Sequence, residues 1–235
     1  MSLQDDFAFS IEEFTGRIRL FPLPNLVLFP RVMQPLHVFE PRYRELLEEA
    51  VAGDQLIAMA LLKPGWEHDY DGRPPVYPMV CLGRVAVHQR TENGSYNVLL
   101  SGLNRVRIVR ELPEQKQFRE AMGVVCADYY SPDRAAQGPS LQRRLRSALL
   151  GIIDHLPQAQ DQLDYLLGTD VKLGALTDTI SYMLDLSLDE KQAMLAEFDV
   201  YRRAEKLLEH LEVIAADEQL GRSGEAGFPP HFSPN

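Results

Sequence analysis

Cysteine and lysine are scarce in this chain, and each scarcity closes off a class of function. Only Cys81 and Cys126 stand among 235 residues, too few for a disulfide framework or a four-cysteine zinc site. Both fall in apolar stretches that read as strands, so they are expected in the core, in a reducing, cytoplasmic compartment. The five lysines follow Leu62, Gln115, Val171, Glu190 and Glu205. None follows a glycine, which excludes the phosphate-cradling P-loop with its terminal Gly-Lys. No apolar run approaches the roughly 20 residues of a membrane span. The opening MSLQDDFAFS carries two aspartates where a secretory leader carries basic residues. The histidines stand at 37, 68, 88, 155, 210 and 231, never four apart, so there is no HExxH metal pair. Neither a GxGxxG fingerprint nor a GxSxG elbow occurs. No cofactor, metal or catalytic constellation is expected.

What is there is acidic and unevenly so. Net charge is −10; residues 1–125 hold 14 basic against 16 acidic side chains, and residues 126–235 hold 10 against 18. An acidic chain repels a phosphate backbone, which disfavours nucleic acid as a partner. Arg84, Arg90, Arg105, Arg107 and Arg110 are the candidates for an RNA-binding alternative. Arg143, Arg144 and Arg146 read as the wet face of a helix.

The first half has strand chemistry. Ile18–Pro22 and Leu26–Pro30 are apolar segments cut by Pro22, Pro24 and Pro30, which exclude a helix. Gln34–Phe39 is a third extended piece. Glu40-Pro41 opens a helix over 41–52, with Tyr43, Leu46, Leu47 and Ala50 at helical spacing and Gly53 after it. Gln55–Lys63 is a nearly continuous apolar run, the mark of a strand buried on both faces. Met79–Thr91 and Ser95–Leu100 flank Asn93-Gly94, a hairpin signal. Asn104–Leu112 alternates, with Val106 and Ile108 on one face and Arg105 and Arg107 on the other, and Phe118–Tyr130 is the last extended stretch.

The second half is helical. Ser131–Ser140 has linker composition. Stripes follow at Leu141, Leu145, Leu149 and Ile152; at Leu163, Leu166 and Leu167; and at Leu173, Leu176, Ile180 and Leu184. Ser187-Leu-Asp-Glu190 is a capping box. Val200, Ala204, Leu207, Leu211 and Ile214 stripe a final helix that Asp199 can cap. The expected plan is an N-terminal extension (1–16), a small β-barrel (17–130), a linker (131–140), a helical bundle (141–216) and a disordered tail (217–235).

Three residue groups invite a functional reading. Glu67, His68, Asp69 and Asp71 share a polar loop, but they lack the following oxygen ligands of a calcium loop; a solvated loop is the better reading. Ser101 and His88 on neighbouring strands make no nucleophile–base signature. Trp66, Tyr70 and Tyr77 place three aromatic side chains in one long loop, either as binding anchors or as a plug that closes one end of the barrel.

The residues also resemble a known family. Ile18-Arg-Leu-Phe-Pro-Leu-Pro-Asn-Leu-Val-Leu-Phe-Pro30, then Gln34-Pro-Leu-His-Val-Phe39 and the helix Tyr43–Ala50, are similar to the opening of the amino-terminal domain of ATP-dependent Lon proteases. Gly83-Arg-Val-Ala-Val87, the Asn93-Gly94 turn and Ser101-Gly-Leu-Asn-Arg-Val-Arg-Ile108 resemble its central hairpin and Gly-x-x-Arg strand. Leu176–Leu184, Leu186–Gln192 and Leu195–Leu211 resemble its helical portion. The resemblance spans residues 17–213. It implies an α+β fold: a PUA-like, Lon-N-type small β-barrel with one inserted helix, followed by an α-helical bundle, free-standing, without ATPase or Ser–Lys peptidase domains. The function implied is non-catalytic recognition of polypeptide, unfolded segments or a partner protein such as a separate Lon-type protease, with the module acting as adaptor or regulator of proteolysis. Its expected groove is lined by Phe29, Met33, Leu36 and Phe39 and edged by Trp66, Tyr70 and Tyr77.

Overall fold

The computed structural model describes residues 14–153, 171–219 and 233–234. The stripe at Leu163, Leu166 and Leu167 lies outside them, as do the first 13 residues and most of the carboxy-terminal tail.

A mixed sheet organises the first half. Strand β1 (Arg17–Leu23) runs parallel to β3 (Leu56–Leu61) and antiparallel to β6 (Arg119–Cys126). Between β1 and β3 come β2 (Met33–Val38) and helix α1 (Pro41–Ala52). Strand β4 (Met79–Arg90) pairs with β3 on one side and with β5 (Tyr96–Glu111) on the other. Because β5 also pairs with β6, the strands β4, β3, β1, β6 and β5 close into a ring of five. Strand β2 branches off the first half of β5. Ser233–Pro234 (β7) lies in parallel beside Leu36 and His37 on the outer edge of β2.

Local sequence explains these elements. All six residues of β3 are buried, as a strand flanked on both sides must be. Helix α1 has Pro41 in its first turn and buries Tyr43, Leu46, Leu47 and Ala50 on one face. In the hairpin, Gly94 takes φ 82° and Asn93 accepts from the Ser95 amide. The segments expected as separate strands at 95–100 and 104–112 are one 16-residue strand, β5. It stays continuous past Gly102 because that residue has no side chain: a Cβ there would lie 2.0 Å from the Phe29 carbonyl oxygen.

After β6 a 3-10 turn (Pro132–Gln137) leads directly into α2 (Gly138–Ile153), so helical backbone begins within the stretch whose composition reads as linker. Helices α3 (Leu173–Met183), α4 (Leu188–Ala196) and α5 (Val200–Gln219) complete the described helices. The capping box forms in full, with Ser187 Oγ accepting from the Glu190 amide and Glu190 accepting from the Ser187 amide. Asp199 accepts from the amides of Tyr201 and Arg202. Leu141, Leu145, Leu149, Leu176, Ile180, Leu207 and Leu211 join Phe21, Leu36 and Leu46 in one core that spans sheet and helices.

The joint between the halves also contains charge. Arg105 is 2% exposed rather than standing on a wet strand face. It donates to Asp178 Oδ1 at 2.5 Å and to the Leu195 carbonyl at 2.8 Å. Arg203, fully buried, donates to Thr177 at 2.9 Å, to the Glu197 carbonyl at 2.7 Å and to Asp128 at 2.9 Å. Arg31 completes the group from the edge, 3.3 Å from Asp178. Its φ of 66° is unusual for arginine; paired backbone bonds, Arg31 N to Gly102 O and Gly102 N to Val32 O, hold it there. Burial works against the Arg105 charge, yet the charge and hydrogen bonds of Asp178 raise its pKa.

Candidate functional site

The outward face of β2 departs from the usual distribution of side chains. Its burial alternates, with Gln34, Leu36 and Val38 inward and Met33, Pro35 and His37 outward. The register places Pro35 beside Leu99 of β5, and Leu99 beside Val87 of β4. Met33 lies beside Ser101 in the adjacent row. Phe39 follows the strand and stacks on His37, with ring centroids 6.2 Å apart. Met33, Phe39 and Val87 are 44%, 48% and 57% exposed, so the half-buried Pro35 and Leu99 with Val87 form an apolar row across three strands, and Met33 and Phe39 lie in contact with water on either side of it. Single exposed apolar residues are ordinary; a contiguous row at a sheet edge marks an interaction surface.

Two of the residues expected to line a groove are not available to a partner. Phe29 is 0% and Leu36 2% exposed. Phe29 belongs to the buried segment that packs over Gly102, and Leu36 occupies an inward position of the alternating strand. Apolar character alone could not separate these positions from Met33 and Phe39. Register counted back from the Asn93-Gly94 turn would have found Val87 and Leu99.

The three aromatic loop residues divide into two settings. Trp66 and Tyr70 meet edge to face, 5.4 Å between centroids. The Tyr70 hydroxyl donates to Glu40 at 2.7 Å, and its carbonyl accepts from Arg42 at 3.1 Å. The loop is thereby fastened to the start of α1, one residue from Phe39. Burial, followed by the hydrogen bond to Glu40, pushes the Tyr70 phenol up to about 12. Tyr77 is turned the other way and donates to Asp189 of α4 at 2.7 Å, so it ties sheet to helices.

Beneath this loop lies a cavity of about 350 Å³. Arg42, Arg73, Lys116 and Arg119 stand around it, with Leu62, Tyr43 and Phe118 supplying apolar wall. None of these four cations stood out in the sequence, because α1, the loop and the segment that turns from β5 into β6 contribute them separately. Cys81 is buried, which pushes its thiol up and leaves it inert. Arg105, a candidate for the RNA reading, is consumed by the joint. Among the described residues no group of three or more His, Cys, Asp or Glu is placed to hold a metal, and no helix is long and apolar enough to cross a membrane.

A family model described as the ATP-dependent protease La (LON) substrate-binding domain matches residues 17–213. The chain belongs to this family. Lon protease 2 of Myxococcus xanthus is 27% identical over 203 residues, 85% of this chain but 24% of that protein. Lon protease of Dictyoglomus thermophilum is 24% identical over 193 residues, again with 24% of its length covered. The chain thus spans about a quarter of the length of the curated Lon relatives it matches. Among solved structures, the N-terminal domain of Mycobacterium avium complex Lon protease superposes with a TM-score of 0.66 at 17% identity, covering 83% of this chain and 98% of that one. These matches bear out the α+β, Lon-N-type fold, and the family assignment makes the chain a substrate-recognition module.

Proposed function

We propose that this Lon-family module binds extended, apolar segments of polypeptide along the outer face of β2 and at its outer edge, where Ser233–Pro234 sits in this structure, and performs no catalysis. The observation that carries the reading is the exposure of Met33, Phe39 and Val87 on and around the outward face of β2, a strand whose outer edge is paired, among the described residues, at Leu36 and His37 alone. An edge strand offers unpaired main-chain groups to an incoming segment, and outward apolar side chains select its sequence. The seat of Ser233–Pro234 beside Leu36 and His37 supports the same reading, since this edge accepts extended chain. Trp66 and Tyr70, anchored next to Phe39 through Glu40, border the face. Where the module acts apart from an ATPase and a peptidase, it serves in trans, presenting bound segments to a separate Lon-type protease.

The test is binding of the purified protein to synthetic peptides blocked at both ends, apolar or polar in composition, at low and moderate salt. Apolar peptides bind the wild-type protein with little salt dependence, and Phe39→Ser together with Val87→Ser weakens them at least tenfold. Equal affinity in that double variant would place the contact elsewhere, and absence of binding to any peptide would end the reading.

A further inference from the structure

The cavity beneath the 64–78 loop has chemistry that the apolar face lacks. We propose that it receives the free carboxylate of an apolar C-terminal residue, so that the module recognises chain ends as well as extended segments. This rests on the polypeptide reading above and adds a second, separable contact to it.

The lining charge is unbalanced. Arg42, Arg73, Lys116 and Arg119 border the cavity, against Asp71 and Glu114 as the bordering acids. The carboxylates that hold the cations in place stand behind the wall. Glu40 holds Arg42 through a hydrogen bond from Nε at 2.9 Å and an ion-pair contact with Nη2 at 2.8 Å. Glu111 takes Arg119 in a two-pronged pair at 2.5 and 3.0 Å. Glu49 and Glu120 hold Lys116 at 2.5 and 3.3 Å. The donors are therefore fixed before any ligand arrives, which lowers the cost of ordering them on binding.

Two of these donors have capacity to spare. Arg42 Nη2 is buried with no hydrogen bond of acceptable geometry; its near carboxylate oxygen, 2.8 Å away, is already engaged by Nε. Arg73 donates from Nη2 to the Leu112 carbonyl at 3.2 Å, while its Nη1 has the exposed Glu114 carboxylate at 3.4 Å. A guanidinium fork matches a carboxylate.

The rest of the wall decides which anion. Pro22, Leu62, Tyr43 and Phe118 give the cavity an apolar side. A bare phosphate would leave that side uncovered, whereas a carboxylate borne on an apolar residue meets both parts. A volume of about 350 Å³ is at the lower end for ligand pockets. It has room for the end of a chain and none for a folded domain.

The experiment uses one apolar peptide sequence made twice, ending in a free acid or an amide, titrated against the full chain by fluorescence anisotropy. N-acetyl-leucine, N-acetyl-leucinamide and inorganic phosphate serve as competitors. The acid peptide is expected to bind at least tenfold tighter than the amide. N-acetyl-leucine abolishes that difference while its amide and phosphate do not, and Arg73→Gln, checked for an unchanged unfolding curve, removes it. Equal binding of acid and amide overturns the inference and leaves the apolar face standing. Phosphate competing as well as N-acetyl-leucine also overturns it, by reducing the cavity to a general anion site. Failure of both peptides to bind sinks the polypeptide reading along with it.

Discussion

The joint between sheet and helices and the outer face of β2 invert the usual placement of side chains. At the joint, Arg105, Arg203 and Asp178 are buried with their charges. On β2, Met33 and Phe39, with Val87 nearby, are apolar and wet. The charges inside are tied by bonds from both halves, so they fix one orientation of the helices; replacing them with apolar groups of similar volume need not lower stability. The apolar side chains outside touch nothing that stability requires. The first set specifies geometry and the second is available for recognition.

The contrast is sharpest if the joint loses one member. Asp178→Asn leaves Arg105 and Arg203 facing a single remaining carboxylate and should cost about 3–5 kcal/mol, read from denaturant unfolding. A loss under about 1 kcal/mol would mean that water or a neighbour already screens the cluster. Gly102→Ala drives a methyl group into the Phe29 carbonyl oxygen and displaces the backbone that presents Arg31. A loss of about 3 kcal/mol, the upper end for overpacking, is expected in the same assay.

A third set of charges lies between these extremes, with Glu49 partly exposed on α1 and Glu120 buried on β6 beneath the exposed Arg17. Burial alone would raise Glu49, but hydrogen bonds from Lys116 and Arg19 hold its carboxyl below the usual 4.5. Burial likewise opposes the Glu120 charge, and Arg17 and Lys116 outweigh it. Carboxyls depressed in the folded state stabilise fully above the unfolded pKa, and that contribution is lost as pH falls through the lower folded value. Stability should therefore be level above about pH 5 and decline below about 4.5. A decline beginning near pH 6 would point to histidine instead.

Smaller effects test the periphery. Ser187→Ala removes one side of the capping box and should cost about 1 kcal/mol, with no change in peptide binding. Phe39→Ser should stay within about 0.5 kcal/mol of wild type while weakening apolar peptides. A large stability loss there would show that Phe39 belongs to the core after all.

Much of this architecture can be read from residues alone, and the unread part has a physical pattern. Alternation, helical stripes and caps are local, so α1, the β4–β5 hairpin, the Ser187 box and the Asp199 cap were legible. Burial of an individual residue is set by partners distant in sequence. Arg105 reads as the wet member of an alternating strand until Asp178, 73 positions away, is brought beneath it. Phe29 and Met33 have equivalent apolar character; close packing over Gly102 makes one core and strand parity makes the other surface. The cavity's four cations were hidden for the same reason, coming from three segments that only the fold brings together.

Strand β5 pairs with β2, β4 and β6 along its 16 residues, and every route around the ring passes through it or ends on it. Its order of assembly follows. The β4–β5 hairpin can form early because its turn is local, but closure waits for β1 to meet β6, a pairing of Arg17 with Met122 across more than a hundred residues. Such non-local closure sets a refolding time of about milliseconds to seconds. Once the ring is shut, amide protons in the middle of β5 should exchange with solvent only when the whole molecule opens, making that strand the slowest clock in the protein.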